Sequence, residues 1–115
     1  MDNLEELKSI QELEYALDES RERPVLFFKH SLTCPISTRA FNELQSYLDN
    51  ADPRVSYKLI TVQTARRVSD EAASRLTIEH QSPQAILVRN GRELWNASHY
   101  NITASALAEA IRNTD

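Results

Sequence analysis

The chain contains one cysteine, Cys34, in the segment Thr33-Cys34-Pro35-Ile36-Ser37, between the apolar run Val25-Leu26-Phe27-Phe28 and a stretch with helical spacing. A thiol at a strand-to-helix junction is a candidate nucleophile. With Cys34 as N-cap, Pro35 falls at the first helical position, where its missing N–H costs nothing and its fixed φ suits the first turn. The N–H groups of Ile36 and Ser37 are then expected to point back at the sulfur, with the Ser37 hydroxyl as a further donor. The positive end of the helix dipole favours thiolate over thiol, and the thiolate is the form that attacks disulfides. A lone cysteine is otherwise an inert, buried core residue. The residues after Cys34 read as a helix cap, which favours the reactive assignment.

Ser37 stands where a dithiol enzyme of C-x-x-C type has its second cysteine, and a hydroxyl cannot form a disulfide. A reaction begun by Cys34 must therefore be completed by an outside thiol. Lys29 and His30 are the nearest polar groups, and the sequence leaves open which of them faces the sulfur. A Cys34–His30 ion pair would help form the thiolate; the alternative is a histidine on the polar rim of the strand. No further ligands stand at a recognisable spacing, so no metal site is expected. His80 and His99 have no evident chemical partner and are expected in solvent-facing or hydrogen-bonded structural roles. Trp95 and Tyr100 are expected to cover the hairpin and pack under the last helix, with a thiol-ligand groove as the other possibility for Trp95.

The elements that must position Cys34 can be read from periodicity. Ser9-Ile10-Gln11-Glu12 has the form of a capping box, and Ile10, Leu13, Ala16 and Leu17 recur at helical spacing, predicting a helix from about Ser9 to Ser20. Leu4 to Lys8 before it is either a small edge strand or part of that helix. Pro24 to Phe28 is a continuous apolar strand of the kind covered on both faces, the expected centre of the sheet. Ile36, Ala40, Phe41, Leu44 and Leu48 predict a helix from Pro35 to near Asn50. Arg54 to Val62 reads as a strand and Arg66 to Leu76 as a helix. Gln84 to Val88 and Glu93 to Ala97 form a hairpin around Asn90-Gly91, the favoured type I′ step. Thr103 caps a last helix carrying Leu107, Ala110 and Ile111. The order (β)αβαβαββα implies an α/β fold with a central mixed sheet, helices on both faces and a terminal antiparallel hairpin.

Length and composition narrow the function. At 115 residues, 41% hydrophobic and 26% charged, the chain is expected to form a single domain over residues 1–115. One cysteine excludes an internal disulfide framework and points to a reducing cytoplasm. No long apolar stretch or signal-peptide pattern is present, so no membrane partner is expected. A net charge of −4, from 13 Lys plus Arg against 17 Asp plus Glu, disfavours nucleic acid. With Gly91 the only glycine, neither a phosphate-binding loop nor a dinucleotide fingerprint can be built.

The element order, the C-x-x-S after the central strand and Pro83 before the terminal hairpin resemble the thioredoxin fold over nearly the whole chain. More narrowly, Phe28-Lys29-His30-Ser31 leading into Thr33-Cys34-Pro35-Ile36-Ser37 resembles the YtxJ-like monothiol bacilliredoxin family. That resemblance implies an oxidoreductase with no bound cofactor and bacillithiol as co-substrate. Cys34 would attack the bacillithiol sulfur of a bacillithiolated client protein, and a second bacillithiol would regenerate it. It further implies supporting roles for Thr33, Pro35, Ile36 and Ser37, and a cis peptide at Ser82–Pro83 that presents Ser82 to an extended substrate. Phe28 falls where thioredoxins keep a buried acid, which removes one internal base. A monomer is expected. The alternatives are a glutaredoxin-like enzyme serving another small thiol, an iron–sulfur carrier sharing Cys34 across a dimer, and a redox-inert binding module. Pro35 and Ile36 in place of the Gly-Phe of glutaredoxin carriers weaken the iron–sulfur option.

Overall fold

The computed structural model describes residues 3–114. The order is β1 (Leu4–Glu6), α1 (Ile10–Glu19), β2 (Val25–His30), α2 (Pro35–Leu48), β3 (Ser56–Thr61), α3 (Arg66–Leu76), β4 (Gln84–Arg89), β5 (Arg92–Ser98), a 3-10 turn (His99–Asn101) and α4 (Ala104–Arg112). The ambiguous Leu4–Lys8 segment contributes the edge strand β1, parallel to β3 through Leu4 opposite Tyr57. The sheet order is β1-β3-β2-β4-β5, which puts β2 at the centre. Strand β2 runs parallel to β3 and antiparallel to β4, and β4 and β5 close the sheet as an antiparallel hairpin.

Alternation along β2 sends its side chains to two cores. Val25 and Phe27 join Leu13, Leu17, Val68, Ala72 and Leu76 under α1 and α3. Leu26 and Phe28 join Ala40, Leu44, Leu107 and Ile111 under α2 and α4. The strand continues two residues beyond Phe28, because Lys29 and His30 pair with Ile60 and Thr61 of β3. This extension decides the direction of the two polar residues before Cys34. Lys29 follows Phe27 toward α3, and His30 follows Phe28 toward α2.

Local signals set the element ends. The Ser9 hydroxyl accepts from the N–H of Glu12, and the Thr103 hydroxyl accepts from that of Ala106. The Glu12 carboxylate reaches the N–H of Lys8, one residue ahead of the cap, so the box closes one position wide of the usual form. At the hairpin tip Asn90 and Gly91 both have positive φ, 56° and 72°, the conformation that a type I′ turn requires.

Candidate functional site

Cys34 is the N-cap of α2, with extended backbone (φ −106°, ψ 120°) and Pro35 in the first turn. Its carbonyl accepts the Thr38 N–H at 3.1 Å, the first bond of the helix. The thiol is free and half-buried, between the exposed Thr33 and Pro35, with Ile36 half-buried and Leu32 59% exposed. The expected donors to sulfur are a correction. Cys34 makes no side-chain capping bond to the first turn, so the helix end acts on the sulfur through its dipole and not through a direct N–H bond. No acidic residue in the first turn opposes that field.

Ser37 is fully buried and turned inward. Its hydroxyl accepts the Ser31 N–H at 2.9 Å and lies 2.8 Å from Nδ1 of His30. The His30 ring stacks on Phe41 at 4.8 Å between centroids, and burial holds its pKa below the usual imidazole value. His30 is thus a neutral ring bonded to Ser37, on the α2 face of the sheet. The loop between β2 and α2 is held from its other side by Gln63, which follows β3. Gln63 accepts from the N–H of Leu32 at 3.0 Å and donates to the hydroxyls of Ser31 at 2.8 Å and Thr33 at 3.3 Å. Sequence reading did not single out Gln63. The signal that places it is strand order, because the end of β3 lies beside the end of its parallel neighbour β2.

Lys29 lies on the opposite face, fully buried, where Nζ donates to the Ser69 carbonyl at 3.0 Å and lies 3.2 Å from Nδ1 of His80. Burial pushes its pKa down to about 8, with Arg66 adding to the effect and Asp70 opposing it. The pKa of His80 is lowered by burial first, then by Lys29 and Arg66, against the opposing pull of Asp70. His80 therefore has a hydrogen-bonded structural role, one of the two expected for it, and its partner Lys29 ties β2 to the segment before Pro83.

The Ser82–Pro83 peptide is cis, as the resemblance implied. Gln84, buried and opposite Lys29 in the register, braces this loop by accepting from the Gln81 N–H and donating to the Glu79 carbonyl. The Ser82 hydroxyl oxygen is buried and has no hydrogen-bond partner among the described residues. Downstream, the His99 N–H donates to the Pro83 carbonyl at 3.1 Å. Tyr100 does not pack under the last helix as expected; it is 61% exposed, beneath the guanidinium of Arg39. Trp95 packs against the α2–α4 core opposite Leu87 in the hairpin. Among the described residues no helix is long and apolar enough to cross a membrane.

Chemically, the arrangement offers one accessible sulfur at a helix N-terminus, on a loop anchored by Ser37 and Gln63. It offers no second thiol within the chain. A family model described as monothiol bacilliredoxin BrxC matches residues 5–107. A solved structure described as a candidate oxidoreductase with a thioredoxin fold is 34% identical, covering 95% of this chain and 94% of that one at a TM-score of 0.83. Fasciola hepatica thioredoxin matches at 14% identity and a TM-score of 0.77, covering 96% of this chain and 99% of its own. Thioredoxin from Trypanosoma brucei brucei matches at 13% identity and 0.76, covering 96% and 88%. The two distant matches share the fold. With the family model spanning nearly the whole chain, this is a thioredoxin-fold protein that belongs to the monothiol bacilliredoxin family.

Proposed function

We propose that the chain is a monothiol thiol-disulfide oxidoreductase of the C-x-x-S type that removes bacillithiol from client proteins. The Cys34 thiolate attacks the bacillithiol sulfur of the mixed disulfide; a Cys34–bacillithiol bond forms and the client leaves as its thiolate. A second bacillithiol thiolate then attacks the sulfur of the bacillithiol held on Cys34. Bacillithiol disulfide leaves and the Cys34 thiolate returns, so the two electrons gained by the client come from two bacillithiol molecules.

The observation that carries this reading is the half-buried Cys34 at the N-cap of α2, with Ser37 three residues on and bonded to His30. An accessible thiol at a helix N-terminus suits attack on a disulfide, and the serine leaves resolution to an outside thiol. The family membership supports bacillithiol as that thiol. The cis-Pro83 loop, braced by Gln84 and His80, is the element that would present the Ser82 backbone to an extended client segment. Thr33, Pro35 and Ile36 shape the approach to the sulfur. A reducing cytoplasm, where single thiols persist, suits this chemistry.

The test is release of bacillithiol from a bacillithiolated client by the wild-type protein and by Cys34→Ser. Release by the wild type and none by the variant, with equal stability, supports the reading. Equal release by both contradicts it.

A further inference from the structure

Five residues beyond Cys34 on α2, the Arg39 guanidinium carbon lies 5.6 Å from the centroid of the exposed Tyr100 ring. The charge has no carboxylate partner among the described residues. Its natural one, Glu43 one helical turn on, is turned away: the Glu43 carboxylate accepts the Ala104 N–H at 2.8 Å and caps α4. A cation over the ring face is attracted by it without using up its N–H donors, and none of those of Arg39 bonds a protein acceptor among the described residues, so the fork that matches a carboxylate is unspent.

The fold brings this pair to the sulfur's end of the sheet. Lys29 at the end of β2 is opposite Gln84 at the start of β4, which is opposite Ser98 at the end of β5. The chain then turns at His99, in the left-handed region with φ 55°, and its N–H bonds the carbonyl of cis-Pro83. Tyr100 therefore follows a residue fixed to the loop before β4, while Cys34 opens the helix that follows β2. At 1.5 Å per residue, Arg39 stands about 7.5 Å along α2 from Cys34.

Bacillithiol carries its thiol on a cysteinyl group at one end, a glucosamine in the middle and a malyl group with two carboxylates at the other. We propose that Arg39, supported by Tyr100, forms a subsite for the malyl carboxylates while the bacillithiol sulfur is at Cys34, an inference that rests on the function proposed above. Arg39 binds the ligand and Tyr100 positions the guanidinium.

The test measures transfer from one reporter protein carrying either bacillithiol or cysteinyl-glucosamine, which lacks the malyl group. The wild type is expected to react faster with the full thiol by about tenfold, the size of one charge-assisted pair, and less so as salt is raised. Arg39→Met is expected to lose most of that preference and Tyr100→Leu part of it, while Arg39→Lys keeps an intermediate share. Regeneration of bacillithiol-loaded protein by free bacillithiol, with no client present, is expected to show the same dependence on Arg39. Equal wild-type rates for the two thiols, an unchanged preference in Arg39→Met, or an Arg39 effect confined to the client step would each overturn the subsite. A wild type that takes neither thiol from the reporter would instead overturn the function itself. Circular dichroism checks that each variant is folded.

Discussion

The Ser37 hydroxyl and Nδ1 of His30 are 2.8 Å apart, and this bond defines what the serine of the C-x-x-S segment does. The Ser31 N–H fills one acceptor site on the same oxygen, and the His30 ring takes up a second bond of the hydroxyl. Ser37 is then an anchor for the loop that delivers Cys34 to the helix, its hydroxyl bonded to Ser31 and His30 and not to the sulfur. The position that holds a resolving thiol in a dithiol enzyme here ties the last residue of β2 and the loop residue after it to the first turn of α2.

Ser37→Ala is expected to strand the Ser31 N–H and the His30 nitrogen in a site with no solvent exposure for residue 37. Leaving such groups unpaired costs about 1–3 kcal/mol. Urea unfolding of the variant should show a lower midpoint with an unchanged slope. A stability within about 0.5 kcal/mol of the wild type, the range of an ordinary surface change, would show that the anchor carries no weight.

Lys29 predicts an unusual alkaline response. Its folded pKa of about 8 lies below the ordinary 10.5, so between these values the unfolded chain holds a proton that the folded chain has released. Stability contributed through Lys29 therefore rises with pH across that window, by about 2 kcal/mol from pH 7 to 9.5. Lys29→Met should lack the rise. The measurement is the difference in unfolding free energy between wild type and variant at the two pH values, which removes effects common to both, such as tyrosine ionisation in the unfolded chain. A constant difference would contradict the buried, depressed lysine.

Gln63→Ala removes three bonds to the Leu32, Ser31 and Thr33 positions from an exposed side chain. The expected cost in stability is under about 1 kcal/mol, while release of bacillithiol from a client slows several-fold because the Cys34 loop loses its outer tether. Gln63→Glu can still accept from Leu32 but cannot donate, and should fall between. Full-rate release by Gln63→Ala would show that Ser37 alone sets the loop.

Much of this architecture was legible because the signals are local. The continuous apolar run Val25–Phe28 is of the kind expected in a strand covered on both faces, and Asn90-Gly91 names its own turn. Cys34 and Pro35 fixed the start of α2 in the same way. The contacts that arrange the site were not legible because they depend on parity and strand order. Whether Lys29 or His30 faced Cys34's helix turned on where β2 ended, and two extra residues of pairing with β3 settled it. Gln63 became visible only once β3 was known to lie beside β2, and Arg39 met Tyr100 only because His99 turns the chain back toward cis-Pro83. The expected N–H bonds to sulfur failed for a simpler reason: an N-cap defines the backbone path, while the cap's side chain need not bond the first turn.

The most direct test of the central claim is intact-mass spectrometry of the reduced protein after brief exposure to a bacillithiolated client, with a glutathionylated client in parallel. The predicted result is the gain of one bacillithiol on Cys34, release of the reduced client, and loss of the adduct when free bacillithiol is added. No adduct from either client, or an equal one from glutathione, would contradict it.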